Sequence, residues 1–120
     1  MTTEVYETID GYMAAVEKKV ESKERFLAYM TGSKGEEESW CFYCDKYKDT
    51  IKENVLKDSK LTVLKGIVNT KEEWVGVKDH PWKKHRLLAP TGVPCLVLIE
   101  HDQVLHRAST DPEIENDEFL

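Results

Sequence analysis

Ile9, Met13, Val16 and Val20 fall four, three and four positions apart on an otherwise charged segment, which places them on one stripe of a helix that follows Asp10. The period changes at Arg25 to Met30 (RFLAYM), an apolar run that reads as a buried strand. Thr31 to Ser39 (TGSKGEEES) is polar, with two glycines and an acidic triplet, and cannot extend that strand. Helical spacing returns at Cys44, Tyr47, Ile51 and Val55, predicting a helix from about Cys41 or Phe42 to about Leu56. Leu61 to Val68 (LTVLKGIV) suits a central strand, in which Gly66 is expected to weaken pairing or mark a bulge. Thr70 to Leu88 is irregular and tryptophan-bearing, with a short helix near its end, and His80-Pro81 reads as a turn. Cys95 to Ile99 and Val104 to Ala108 flank a tight turn at His101-Asp102-Gln103. A last helix is expected to start at Thr110 or Asp111, with Pro112 in its first turn. With a short strand near Val5, the order is β, α, β, α, β, α, β, β, α, that of an α/β layer fold.

The chain has 120 residues, 40% hydrophobic and 33% charged, with a mean hydropathy of −0.55, which fits a single globular domain over residues 1–120. Its net charge of −6 argues against a nucleic-acid partner, since even the densest basic stretch, Lys78 to Arg86, contains Asp79. No apolar run approaches the roughly 18 residues of a membrane span, and acids stand where a signal peptide carries basic residues, so a cytoplasmic protein without a membrane partner is expected. Three cysteines, Cys41, Cys44 and Cys95, fit a secreted disulfide scaffold poorly and suit thiols used as redox groups or metal ligands.

Cys41 and Cys44 open the predicted second helix, and their three-residue spacing puts the sulfurs near enough to bridge. Cys41 meets the unpaired N–H groups and the positive end of the helix dipole, an environment that lowers a thiol pKa from about 8.5 into a range of roughly 3.5 to 7.5. Cys41 is therefore expected to be the nucleophile. Cys44, one turn inside and shielded, is expected to resolve the mixed disulfide. Phe42 and Tyr43 offer an apolar rim for substrate, and Trp40 shapes the groove beside the pair. Glu36-Glu37-Glu38 reads as a solvated loop; the functional alternative is that its charge disfavours acidic partners and slightly opposes thiolate formation at Cys41.

Trp40-Cys41-Phe42-Tyr43-Cys44, preceded by Tyr29-Met30-Thr31-Gly32-Ser33-Lys34 and a short polar insertion, resembles the thioredoxin superfamily. The likeness is closer still to the Clot-type thioredoxin-related proteins, the thioredoxin domain-containing protein 17 family. It extends to the tryptophan-bearing segment Trp74 to Trp82 and to Val93-Pro94 ahead of Cys95. The resemblance implies a thioredoxin-like α/β fold with a central mixed sheet flanked by helices. It places a cis-proline loop at Pro94 beside the cysteine pair, with the Val93 backbone open to an extended substrate. It further implies a disulfide reductase with a redox-active Cys41-Cys44 disulfide and no bound cofactor, fed by NADPH through thioredoxin reductase. Expected substrates are small disulfides such as cystine and selected protein disulfides. The family's W-C-P-D-C is W-C-F-Y-C here, and Cys95 stands where the family generally has threonine, bringing a third thiol toward the pair. No carboxylate lies within Arg25 to Met30 to accept a proton from Cys44.

Two other readings remain open. The pair and the fold also suit a redox-inactive binding module. Cys-x-x-Cys with the His80-x4-His85 spacing suits a zinc site, although 35 residues separate Cys44 from His80, more than a compact finger allows. Cys95 has its own alternative, that of a small buried core residue.

Overall fold

The protein is described from a computed structural model, which covers residues 2–34, 37–53, 60–90 and 92–108. The predicted helix end near Leu56 and the final helix at Asp111 lie outside these residues. The described chain runs β1 (Thr2–Tyr6), α1 (Ile9–Glu21), β2 (Phe26–Thr31), α2 (Phe42–Ile51), β3 (Thr62–Ile67), a 3-10 turn (Lys71–Glu73), α3 (Pro81–Lys84), β4 (Cys95–Glu100) and β5 (Gln103–Ala108).

The five strands form one sheet in the order β1-β3-β2-β4-β5. β1, β3 and β2 are parallel, and β4 and β5 are antiparallel to their neighbours, so the sheet is mixed. β2 and β4 are apolar up to their last residues, Thr31 and Glu100, because both of their faces are covered. On one face Phe26, Ala28 and Met30 of β2 and Cys95, Val97 and Ile99 of β4 pack with Tyr12 and Val16 of α1 and with Trp82. On the other, Leu27, Tyr29, Leu96 and Leu98 pack with Tyr47 and Ile51 of α2. α1 and α2 thus pack on opposite faces of the sheet, and the first turn of α2 meets the chain just beyond β2, where the Gly32 N–H reaches the Cys44 sulfur.

Gly66 departs from expectation. It pairs regularly with Tyr6 on one side and Met30 on the other, with no bulge. A Cβ there would stand 2.8 Å from the Tyr12 ring and 2.9 Å from Trp82, so the missing side chain makes room for two large rings. Tyr12 sits against that gap and donates its hydroxyl to the Leu64 carbonyl at 2.9 Å. His80-Pro81 is likewise more than a turn. It opens α3, with Pro81 in the first turn and the His80 imidazole accepting the Trp82 N–H at 3.1 Å. The hairpin turn is tighter than expected: His101 and Asp102 alone make it, both at positive φ (52° and 65°), and Gln103 already belongs to β5.

Candidate functional site

Cys41 ends the approach to α2 in an extended conformation and caps the helix with its sulfur, which accepts the Cys44 N–H at 3.2 Å. A sulfur here takes the place that Ser, Thr, Asp or Asn usually fills. Cys44 follows one turn later, its Cα 5.2 Å away, and the two are joined in a disulfide. The Cys44 sulfur in turn accepts the Gly32 N–H at 3.2 Å. Each sulfur thus has a backbone donor, the kind of partner that favours an anionic sulfur once the bond is open. Cys44 is fully buried, whereas Cys41 keeps 6% of its surface and is the one that solvent reaches.

The support beneath the pair comes from residues that the motif alone does not reveal. The Trp40 indole donates to the Val68 carbonyl at 2.7 Å, and its ring covers Gly32. The β2 end is tied to the same strand exit, because the Val68 N–H reaches the Thr31 carbonyl at 2.9 Å. Ser39 gives both its N–H and its hydroxyl to the two carboxylate oxygens of Asp45, at 2.9 and 2.8 Å. Its Oγ accepts the Cys41 N–H at 3.2 Å. Asp45 and Ser39 escaped the sequence reading because their partnership crosses the helix start; an acid at the fourth helical position and a serine six residues before it are the available signal. Of the acidic triplet, the described members Glu37 and Glu38 are exposed, and Asp45 is the carboxylate tied into the motif.

Across from the pair the Val93-Pro94 bond is cis, and the Val93 carbonyl oxygen lies 3.6 Å from the Cys41 sulfur. The loop leading there is fastened twice. His85 accepts the N–H groups of Leu87 and Leu88 at its Nδ1 (3.1 and 3.3 Å) and reaches Glu17 of α1 with Nε2 at 2.6 Å. Arg107 of β5 donates to the carbonyls of Leu87, Leu88 and Ala89. Pro94 is buried and Val93 half-buried.

Cys95, directly after the proline, is fully buried on the α1 face of β4 among Tyr12, Met30 and Trp82, and takes no part in the disulfide. The alternation of β4 turns it away from the face on which Tyr47 and Ile51 of α2 pack. Phe42 and Tyr43 stand out at 71% and 54% exposure, their rings 5.4 Å apart and near perpendicular (81°). Beneath α2 burial pushes the Tyr29 pKa up to about 12 against a hydrogen bond from Thr31, and Lys65 is held low by burial and then by Lys48. The Lys65 ammonium lies 5.7 Å from the Tyr29 ring centre.

His80 and His85 are occupied elsewhere, the first as a helix cap between Trp74 and Trp82, the second between α1 and the proline loop. Among the described residues, no three His, Cys, Asp or Glu side chains are grouped to hold a metal ion. Among the same residues, no helix is long and apolar enough to cross a membrane.

This geometry has relatives. Oxidised thioredoxin O1 from Arabidopsis thaliana is similar over 93% of this chain and 89% of its own, with a TM-score of 0.60 at 16% identity, a likeness that carries the fold. No curated protein sequence gives a significant match. Residues 3–117 match the thioredoxin domain of the thioredoxin domain-containing protein 17-like family. With nearly the whole length matched, the chain belongs to that thioredoxin-like family.

Proposed function

We propose that this protein is a disulfide reductase working by dithiol exchange. The observation that supports it most is the asymmetry of the pair: Cys41, solvent-touched and capping α2, stands against the Val93 carbonyl, with Cys44 buried one turn behind. The Cys41 thiolate attacks a substrate disulfide, forming a mixed disulfide and expelling one substrate thiolate, which takes up a proton. The Cys44 thiolate then attacks the Cys41 sulfur, closing the Cys41-Cys44 bond and releasing the second substrate thiol. Two electrons leave the protein per substrate. NADPH returns them through thioredoxin reductase, and no cofactor is held by the chain itself. Trp40, Phe42, Tyr43, Val93 and Pro94 form the substrate groove. Cystine and selected protein disulfides are the substrates, and the reducing cytoplasm, to which an odd count of three cysteines is suited, is the compartment.

The deciding assay couples NADPH oxidation to cystine through thioredoxin reductase. Turnover that needs both Cys41 and Cys44 is expected. Cys44→Ser should trap a mixed disulfide through Cys41, while Cys41→Ser should trap none; equal trapping by both overturns the order of attack. One observation favours a second reading: the aromatic pair Phe42-Tyr43, exposed beside the cysteines, also suits a redox-inactive binding module. Absence of turnover with Cys41 intact selects that module.

A further inference from the structure

The reactive sulfur is expected to be governed by the helix that it caps, yet the same helix start holds a carboxylate with an unusual set of partners. Asp45 spends both oxygens on Ser39, taking its N–H at 2.9 Å and its hydroxyl at 2.8 Å. That hydroxyl oxygen accepts the Cys41 N–H at 3.2 Å, and the Asp45 N–H closes the ring on the Cys41 carbonyl at 3.1 Å. The carboxylate is therefore one hydroxyl away from the backbone of Cys41. The hydroxyl also lies 3.3 Å from the Cys41 carbonyl, but its single proton has the shorter, charge-assisted path to Asp45.

We propose that Asp45 is a positioning residue that restrains the reactivity of Cys41, holding the Cys41 backbone through Ser39 while placing a carboxylate charge in the helix turn that the Cys41 sulfur caps. The inference rests on the reading of Cys41 as the attacking thiol. The charge competes with a Cys41 thiolate for the positive end of α2, so the sulfur that the helix activates is partly damped by its own first turn. Other charges line the hollow between Trp40, Phe42 and Asp45: Glu38 on the incoming loop, and Lys46 and Lys48 on α2. Lys46 lies 5.1 Å over the Tyr47 ring. On the far side of Trp40, Lys34 is paired with Glu7 at 3.2 Å. Asp45 is joined through Ser39 to the backbone of Cys41.

The test is the pH profile of Cys41 alkylation by iodoacetamide, with the site of labelling read by mass, in the Cys44→Ser background. Asp45→Asn keeps an acceptor for the Ser39 hydroxyl and removes the charge. Its alkylation midpoint should fall by about half a unit to one unit. Below the midpoint the rate should rise roughly two- to fourfold, because the gain in thiolate is partly offset by its lower nucleophilicity. Ser39→Ala breaks the hydroxyl link and keeps the charge, so its midpoint should not fall. An unchanged or higher midpoint in Asp45→Asn overturns the proposal. So does an equal fall in Ser39→Ala, which would trace the effect to loosening of the loop. Since the readout is Cys41 labelling and not turnover, it stands apart from the coupled assay: a protein that reduces no disulfide still reports whether Asp45 restrains this thiol.

Discussion

The indole of Trp40 covers Gly32 so closely that a Cβ built there would stand 2.9 Å from two ring carbons and 3.0 Å from the Cβ of Cys41. The glycine is therefore required by close approach, at the point where the chain leaves β2 beside the cysteine pair. The ring cannot simply lift, because its N–H is fixed on the Val68 carbonyl at 2.7 Å. Gly32→Ala should cost about 1–3 kcal/mol in urea unfolding, the usual range for overpacking a filled site. Trp40→Leu in the same chain should recover part of the loss, since the two residues share one contact. An alanine variant as stable as the parent would mean that the indole yields without cost.

His80 links fold to pH. Its Nδ1 accepts the Trp82 N–H, so the neutral ring carries its proton on Nε2, which is buried without a hydrogen-bond partner among the described residues. Trp74 and Trp82 flank the ring, with centroids 5.0 and 5.2 Å away. Burial, then Lys83, hold the His80 pKa below its ordinary value, with Glu73 pulling the other way. Protonation would also place a hydrogen on Nδ1 and break the cap. The unfolded chain, with an ordinary imidazole near pH 6.5, therefore binds more protons than the folded one over the interval below that value. The contribution to stability is complete above about pH 6.5 and is lost as the pH falls toward the folded pKa. His80→Asn, which supplies an acceptor oxygen for the same cap, should remove this part of the slope. Urea midpoints compared at pH 7.5 and 5.5 check it, and an unchanged slope would assign the pH dependence to other groups.

What the chain revealed by pattern alone divides along physical lines. β2 and β4 were legible because strands covered on both faces must be apolar at every position, and Phe26–Thr31 and Cys95–Glu100 are nearly so. α1 was legible from one stripe, and the Cys41-x-x-Cys44 pair from its spacing at a helix start. Gly66 misled, because the local cost of glycine in a strand is offset by the packing of Tyr12 and Trp82, from 54 and 16 residues away, which no window sees. His80-Pro81 misled because the usual caps are Ser, Thr, Asp and Asn, and an imidazole nitrogen filled that place. Around the cysteines the spacing was visible, whereas the bonds that hold Cys41 were not. Trp40 reaches Val68 across the sheet, and Ser39 reaches Asp45 across the cap itself.

The proline loop should depend on Arg107 more than its place on an edge strand suggests. Its guanidinium donates to three successive carbonyls, those of Leu87, Leu88 and Ala89, and Ala89 holds a positive φ of 33° within that grip. A planar fork can span several acceptors at once, which a lysine ammonium on its flexible stem does poorly. Arg107→Met, which keeps the apolar stem, should lose about 1.5–3 kcal/mol, the range for hydrogen bonds to a charged group, and Arg107→Lys should recover only a minor part. Arg86 provides the contrast. It pairs with Asp102 at the surface, where both side chains are half exposed or more, so Arg86→Met should cost less than about 1 kcal/mol. Both changes remove one arginine and one unit of charge, so the difference between their urea midpoints isolates the three carbonyls. Since that loop continues to the Val93 carbonyl facing Cys41, Arg107→Met should also slow mixed-disulfide formation in the Cys44→Ser background while Arg86→Met leaves it unchanged. Equal unfolding midpoints for the two methionine variants would show that the loop keeps its path without the guanidinium.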